Sequence, residues 1–141
     1  MSYAAAALGA TAVTLGLVLA PSVEAIHAVD HRYVILGYVR DASDRPLAGK
    51  VVRVVRQKTG LVLKGGTDAD GFYVVIVHLH DEDLLDRLWV AVGPRATVRL
   101  EARFSPFDPR TPRGTRVDFT DGVPRERPEE FASALERYVA K

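Results

Sequence analysis

Residues 68–80 read DADGFYVVIVHLH, and this stretch decides the fold. The side chains of Asp68 and Asp70 suit a tight turn because they can bond its backbone. Gly71 suits a position whose conformation a Cβ would oppose. A calcium loop would need more oxygen ligands and a closing Glu, whereas apolar residues follow here, so the acidic pair reads as structural. Residues 72–80 are then rich in β-branched and aromatic side chains and hold no proline, which predicts a strand. Alternation sends Tyr73, Val75, Val77 and Leu79 to one face, toward a core. Phe72, Val74, Ile76, His78 and His80 share the other face, and three apolar residues there predict that it is covered.

Working outward, similar runs recur at the spacing of an all-β sandwich. They are YVILGYVR (33–40), KVVRVVRQ (50–57), LVLKGGT (61–67), LWVAV (88–92), ATVRLEARF (96–104) and RVDFT (116–120). With 72–80 these make seven strands, enough for two packed sheets over residues 31–120. DEDLLDR (81–87) reads as a helical turn, and the proline-rich SPFDPRTPRG (105–114) as a loop. In the tail, 121–141, Pro128 suits the first position of a helix, with Glu129 and Glu130 at its positive end. Phe131, Leu135, Tyr138 and Val139 then form one apolar stripe. Such a helix docks on its own sandwich or on a partner. The expected interaction face comprises Phe72, Val74, Ile76, Phe131, Leu135 and Tyr138.

The N-terminal end differs in kind. Residues 4–20, AAAALGATAVTLGLVLA, carry no charge, and Pro21 ends the run. Val23 and Ala25 are small enough for a cleavage site, so residues 1–26 read as a signal peptide or an N-terminal membrane anchor. No Lys or Arg precedes the run. The chain is therefore expected to be exported, residing in the periplasm, outside the cell, or on a membrane through residues 4–20. With 19 basic and 18 acidic residues, the composition gives no general drive toward nucleic acid. Cysteine is absent, which excludes disulfides and thiolate chemistry.

One group of motifs resembles a known family. Gly37–Asp41 (GYVRD), residues 46–49 (PLAG), 52–54 (VRV) and 67–73 (TDADGFY) resemble the carboxypeptidase regulatory-like domains of the transthyretin type. The resemblance implies a seven-stranded, prealbumin-like Greek-key sandwich, usually exported, non-catalytic and accessory to something larger. Two enzyme groups of related shape match less well. Hydroxyisourate hydrolases need a His on the first strand, where Gly37 and Tyr38 stand, and a C-terminal YRGS where this chain has YVAK. Intradiol ring-cleaving dioxygenases pair H-x-H with a TDxDG-like element but add two tyrosine ligands, and His78 follows Gly71 too closely for that site.

For chemistry, His78 and His80 are the sharpest candidates. Two residues apart on a strand, they project from one face and suit a shared divalent transition metal, with Asp81, Glu82 and Asp83 nearby as oxygen donors. Otherwise they are a pair of surface imidazoles, and no cofactor is needed. No serine lies in a nucleophile-elbow setting, and no glycine-rich phosphate loop is present. Arg95, Arg99, Arg103, Arg110, Arg113 and Arg116 bias the second half toward positive charge, as a solvated face or a surface for an acidic partner or anionic lipid. Trp89, with Tyr33, Tyr38 and Phe107, reads as core or as a sugar-stacking platform. The expected function is a non-catalytic exported interaction module, a structural subunit of an envelope or extracellular assembly and not an enzyme. Periplasmic metal binding through His78 and His80 and carbohydrate binding are the alternatives.

Overall fold

A computed structural model of the chain describes residues 31–140. The leader read over residues 1–26 lies outside the described residues. Eight strands are present: β1 Arg32–Arg40, β2 Val51–Arg56, β3 Val62–Gly66, β4 Phe72–His78, β5 Arg87–Val92, β6 Ala96–Glu101, β7 Gly114–Thr120 and β8 Val123–Glu126. They form two four-stranded sheets, ordered β4-β1-β7-β8 and β3-β2-β5-β6. All ladders are antiparallel except β1–β7. Single 3-10 turns occupy Asp81–Asp83 and Pro128–Glu130, and one short helix, α1, spans Phe131–Ala140. The fold is thus all-β with two sheets and a C-terminal helix.

The expected count of seven strands is corrected by β8, which falls in the stretch read as tail. Asp121 and Gly122 both take left-handed backbone (φ 52° and 74°). This suits a two-residue hairpin turn, which returns the chain so that Thr120 pairs with Val123.

Alternation along β4 is as expected. Tyr73, Val75, Val77 and the following Leu79 are buried between the sheets with Ile35, Val52, Val54, Leu88, Val90, Leu100, Val117 and Phe119. The opposite face of this sheet is covered by α1. Phe131 and Ala134 are buried against Leu36 and Phe72, while Val74 and Leu135 are half-buried beside them. The six residues read as an interaction face are therefore largely a seam between the sheet and its own helix. Ile76 and Tyr138 keep close to half their surface in solvent.

The turn at 68–71 is built by its own carboxylate. Asp68 Oδ1 accepts from the N–H groups of Asp70 (2.9 Å) and Phe72 (3.0 Å). Gly71, at φ 74°, donates its N–H to the Asp68 carbonyl at 2.9 Å. Its own carbonyl accepts from the N–H of Val39 at 2.8 Å, fastening the turn to the end of β1.

Gly37 serves a different need. Between the rungs Leu36–Arg116 and Val39–Phe119, β7 crowds onto β1. A Cβ on Gly37 would stand 1.8 Å from the Val117 carbonyl oxygen. That oxygen accepts from the buried hydroxyl of Tyr73 at 2.7 Å, and Asp118 Oδ1 accepts from the N–H of Tyr38 at 3.0 Å in place of a ladder partner. Burial pushes the Tyr73 hydroxyl well above its ordinary pKa, so it remains a donor at any working pH. Gly37→Ala should cost at least about 2 kcal/mol in urea unfolding, because two backbones must separate. Gly66→Ala, with nothing within 4 Å of its Cβ, should be close to neutral. Equal stability of the two variants would contradict this account.

Candidate functional site

His78 ends the edge strand β4, and His80 follows the buried Leu79. Their rings share the outer side, 4.8 Å apart and nearly perpendicular. The neighbouring acids do not turn toward them as a ligand set. Asp81 Oδ1 pairs with Arg113 Nη2 at 2.6 Å, and that buried guanidinium lies 4.4 Å over the ring of Phe104. Asp83 Oδ1 pairs with Arg56 Nη2 at 2.9 Å, its Oδ2 accepts from the His80 N–H at 2.9 Å, and Asp86 Oδ2 accepts from Arg56 Nε at 2.6 Å. The acidic run thus neutralises arginines that close this end of the sandwich. Among the described residues, no group of three or more His, Asp and Glu side chains is placed to hold a metal ion. Nor do the tyrosines converge here: Tyr33 is in the core with its pKa raised to about 12, mainly by burial, and Tyr73 bonds Val117.

A second ionic cluster lies on the helix side. Arg116 holds Asp118 through Nε and Nη2 at 3.0 and 2.9 Å, Arg127 reaches Asp118 at 3.3 Å, and Glu130 stands 3.5 Å from Arg116. The guanidinium groups of Arg40 and Arg116 lie 5.0 and 5.1 Å from the Tyr38 ring. These contacts lock β7, β8 and the start of α1 to β1. At the far end, a cleft of about 510 Å³ opens toward the core between Val39, Leu47, Val92 and Phe119, with Lys50 and Asp121 at its mouth.

The outer face of the other sheet is different in character. Its ladders align Val62, Val55, Trp89 and Arg99 in one rung and Lys64, Arg53, Ala91 and Thr97 in the next. Val51, Val62 and Trp89 are exposed, at 51, 48 and 37%. Arg99 lies 5.9 Å from the Trp89 ring, and Arg53 Nη2 donates to the Gly93 carbonyl at 3.3 Å. The acid on this face, Glu101, pairs with Arg103 at 3.3 Å. Among the described residues, no helix covers this sheet.

The six arginines read as one basic half are thus divided. Arg113 and Arg116 close internal ion pairs, whereas Arg99 joins Arg53 and Lys64 on the bare face. Arg53 and Lys64 were not singled out in the sequence, although the alternation of KVVRVVRQ places Val51, Arg53 and Val55 on one side. The proposed aromatic platform also separates: Tyr33 is buried, Tyr38 lies on the helix-covered sheet, and Phe107 stands in the loop after β6.

No family model and no curated protein matches the chain. Solved structures with a similar fold include the following three. One is the dioxygenase domain of a dioxygenase carbohydrate-binding protein fusion from Streptomyces sp. SirexAA-E, with TM-score 0.42 and 18% identity, covering 66% of this chain and 80% of that one. The second is chlorocatechol 1,2-dioxygenase from Pseudomonas putida, with TM-score 0.44 and 17% identity over 64% of this chain and 60% of that one. The third is catechol 1,2-dioxygenase from Acinetobacter sp. ADP1, with TM-score 0.41 and 13% identity over 74% of this chain and 48% of that one. The expectation that the chain is not an enzyme is corrected by this finding, because these three structures are dioxygenases. At these scores the likeness assigns no reaction to the chain.

The Arg56–Asp83 pair has a testable pH signature. Burial alone would raise the Asp83 carboxyl, but the His80 N–H and the charges of Arg56 and Lys58 outweigh it and hold its pKa below the ordinary 3.8. A carboxyl depressed on folding contributes stability above its unfolded pKa and loses it as pH falls through the folded value. Asp83→Asn should cost about 2 kcal/mol at neutral pH, because it weakens charged hydrogen bonds to Arg56. In urea titrations, the gap to the parent protein should close as pH falls below 3.8. A gap that persists to about pH 2 would contradict the assignment.

Proposed function

We propose that this domain is an exported interaction module of an envelope or extracellular assembly, docking an acidic partner protein through the outer face of β3-β2-β5-β6. The observation that carries the reading is the contrast between the sheets: α1 seals one, and the other presents Trp89 and three valines among Arg53, Lys64 and Arg99. An aromatic anchor ringed by cations is the composition of a protein-binding hot spot rather than of a solvated face. A second copy of the chain would bring like charges together, so the complementary surface belongs to another molecule. Within this reading the domain is a prealbumin-like sandwich of the carboxypeptidase regulatory-like kind. The support is that three of the four segments carrying the resemblance, 37–41, 46–49 and 67–73, form one hydrogen-bonded junction: Leu47 N–H donates to the Val39 carbonyl and Gly49 N–H to that of Thr67. A narrower reading, in which His78 and His80 share a divalent transition metal with ligands from a partner, is favoured by the 4.8 Å separation of their rings.

Gentle extraction followed by native sizing tests the docking face. The parent protein should run in a heavy complex that dissociates in high salt, and Arg53→Glu with Arg99→Glu should run as a monomer with an unchanged circular dichroism spectrum. Ile76→Ser should leave the complex intact. A parent protein that is monomeric on extraction, or a double variant that stays in the complex, would overturn the proposal.

A further inference from the structure

We propose that copies of this chain associate head to tail, the loop before β7 of one copy seating Phe107 in the cleft at the far end of the next. The loop, residues 102–113, and the cleft lie at opposite ends of the sandwich. Gly114, where the loop enters β7, pairs with Val34 near the start of β1. The cleft is lined by Val39 near the end of β1 and Phe119 near the end of β7. The length of β7, about 20 Å, separates them, so a copy cannot fill its own cleft.

The loop is shaped to present one side chain. Phe107 is 86% exposed, more than any other large hydrophobic residue among the described residues. Its φ of 63° is costly for a bulky side chain, and loops hold such a conformation where the presentation itself is used. Asp108 Oδ1 accepts from the N–H groups of Arg110 (2.9 Å) and Thr111 (3.3 Å), and Pro106, Pro109 and Pro112 restrict the chain around it. A side chain already fixed in its exposed position loses little entropy on docking. The cleft offers the complementary shape. Its volume of about 510 Å³ exceeds that of a phenyl ring, and Val39, Leu47, Val92, Ala96 and Phe119 give it an apolar interior.

Local charge makes a second copy the occupant. Acids and bases are close to balance at both ends of the sandwich, so long-range attraction selects nothing and the match lies at the contact itself. Four charged residues line the cleft: Arg40, Asp41, Lys50 and Asp121. Arg40 pairs with Asp44 at 3.6 Å and Asp41 with Arg45 at 3.1 Å, while Lys50 and Asp121 are in no ion pair among the described residues. The loop tip, 105–111, carries one acid and one base, Asp108 and Arg110, and neither is in an ion pair there. With Phe107 seated, Asp108 meets Lys50 and Arg110 meets Asp121. An unrelated partner would have to supply the same apolar knob with the same two charges, and this chain carries both halves. The contact is heterologous, so each added copy leaves one loop and one cleft free and the row extends. One anchor and two exposed ion pairs make it weak, so copies separate at the dilution of native sizing and associate where they are crowded.

The chain holds no cysteine, so single introduced thiols report the contact. The full chain is purified in mild detergent with either Ser105→Cys in the loop or Ala48→Cys at the cleft rim, both exposed positions, and a short bismaleimide is added at high protein concentration. A mixture of the two variants should give several-fold more cross-linked dimer than either alone, and a chain carrying both cysteines should give a ladder. Phe107→Ser in the Ser105→Cys chain, or Lys50→Glu in the Ala48→Cys chain, should lower the yield several-fold with an unchanged circular dichroism spectrum. As much dimer from one variant alone as from the mixture would overturn the head-to-tail arrangement. A yield indifferent to Phe107→Ser would overturn the seating of that side chain in the cleft. Arg53→Glu with Arg99→Glu should leave the ladder in place, so failure of the Trp89 docking face and failure of this contact are told apart.

Discussion

The peptide of Val39 holds the architecture together. Its N–H donates to the carbonyl of Gly71, and its carbonyl accepts from the N–H of Leu47. One residue at the end of β1 thereby fastens the turn into β4 and the turn leading to β2, so both sheets are referred to the same point. The close approach leaves no room for a side chain: a Cβ on Gly71 would lie 2.5 Å from the Val39 carbonyl oxygen. Because β1 lies between β4 and β7, this junction also sets the register of the strand that carries His78 and of the strands beneath α1.

The two sheets then diverge in what they leave in water. Phe131 docks over Gly114 at one end of the helix, and Tyr138 reaches the Phe72 ring at 5.7 Å toward the other. The Arg116–Asp118–Arg127–Glu130 cluster fixes the angle at which the helix begins. A sandwich face closed by its own helix has little apolar area to offer a partner. Among the described residues the other sheet has no such cover, and its cationic rim gives it direction as well as area. Buried pairs, by contrast, mainly organise the chain: Arg56, Arg113 and their aspartates shape the connections that follow β4 and precede β7.

Much of this was legible in residues 68–80. The Asp-x-Asp-Gly turn and the alternation of β4 could be read directly, because local chemistry and periodicity decide both. Helix cover was foreseen as one of two alternatives, since Phe72, Val74 and Ile76 form an apolar outer row. The eighth strand was not read, although Asp121-Gly122 is a strong hairpin signal; the apolar content of VPRE is too small for periodicity to register. The separation of Arg99 from Arg113 was beyond reach for another reason. Arg113 meets Asp81 only because the loop after β4 brings that carboxylate to it, and spacing carries no trace of that, whereas Arg116 and Asp118, two apart on β7, share a face that alternation could have shown.

The central claim is that the bare sheet, and not the helix-covered one, is the working surface. Hydroxyl-radical footprinting tests it directly, because Trp89 and Tyr138 are reactive side chains that report on the two faces within one molecule. The protein is oxidised in its native assembly and again after release by salt. The account predicts that oxidation of Trp89 rises several-fold on release while that of Tyr138 stays the same. Unchanged Trp89, with Tyr138 becoming reactive on release, would contradict it.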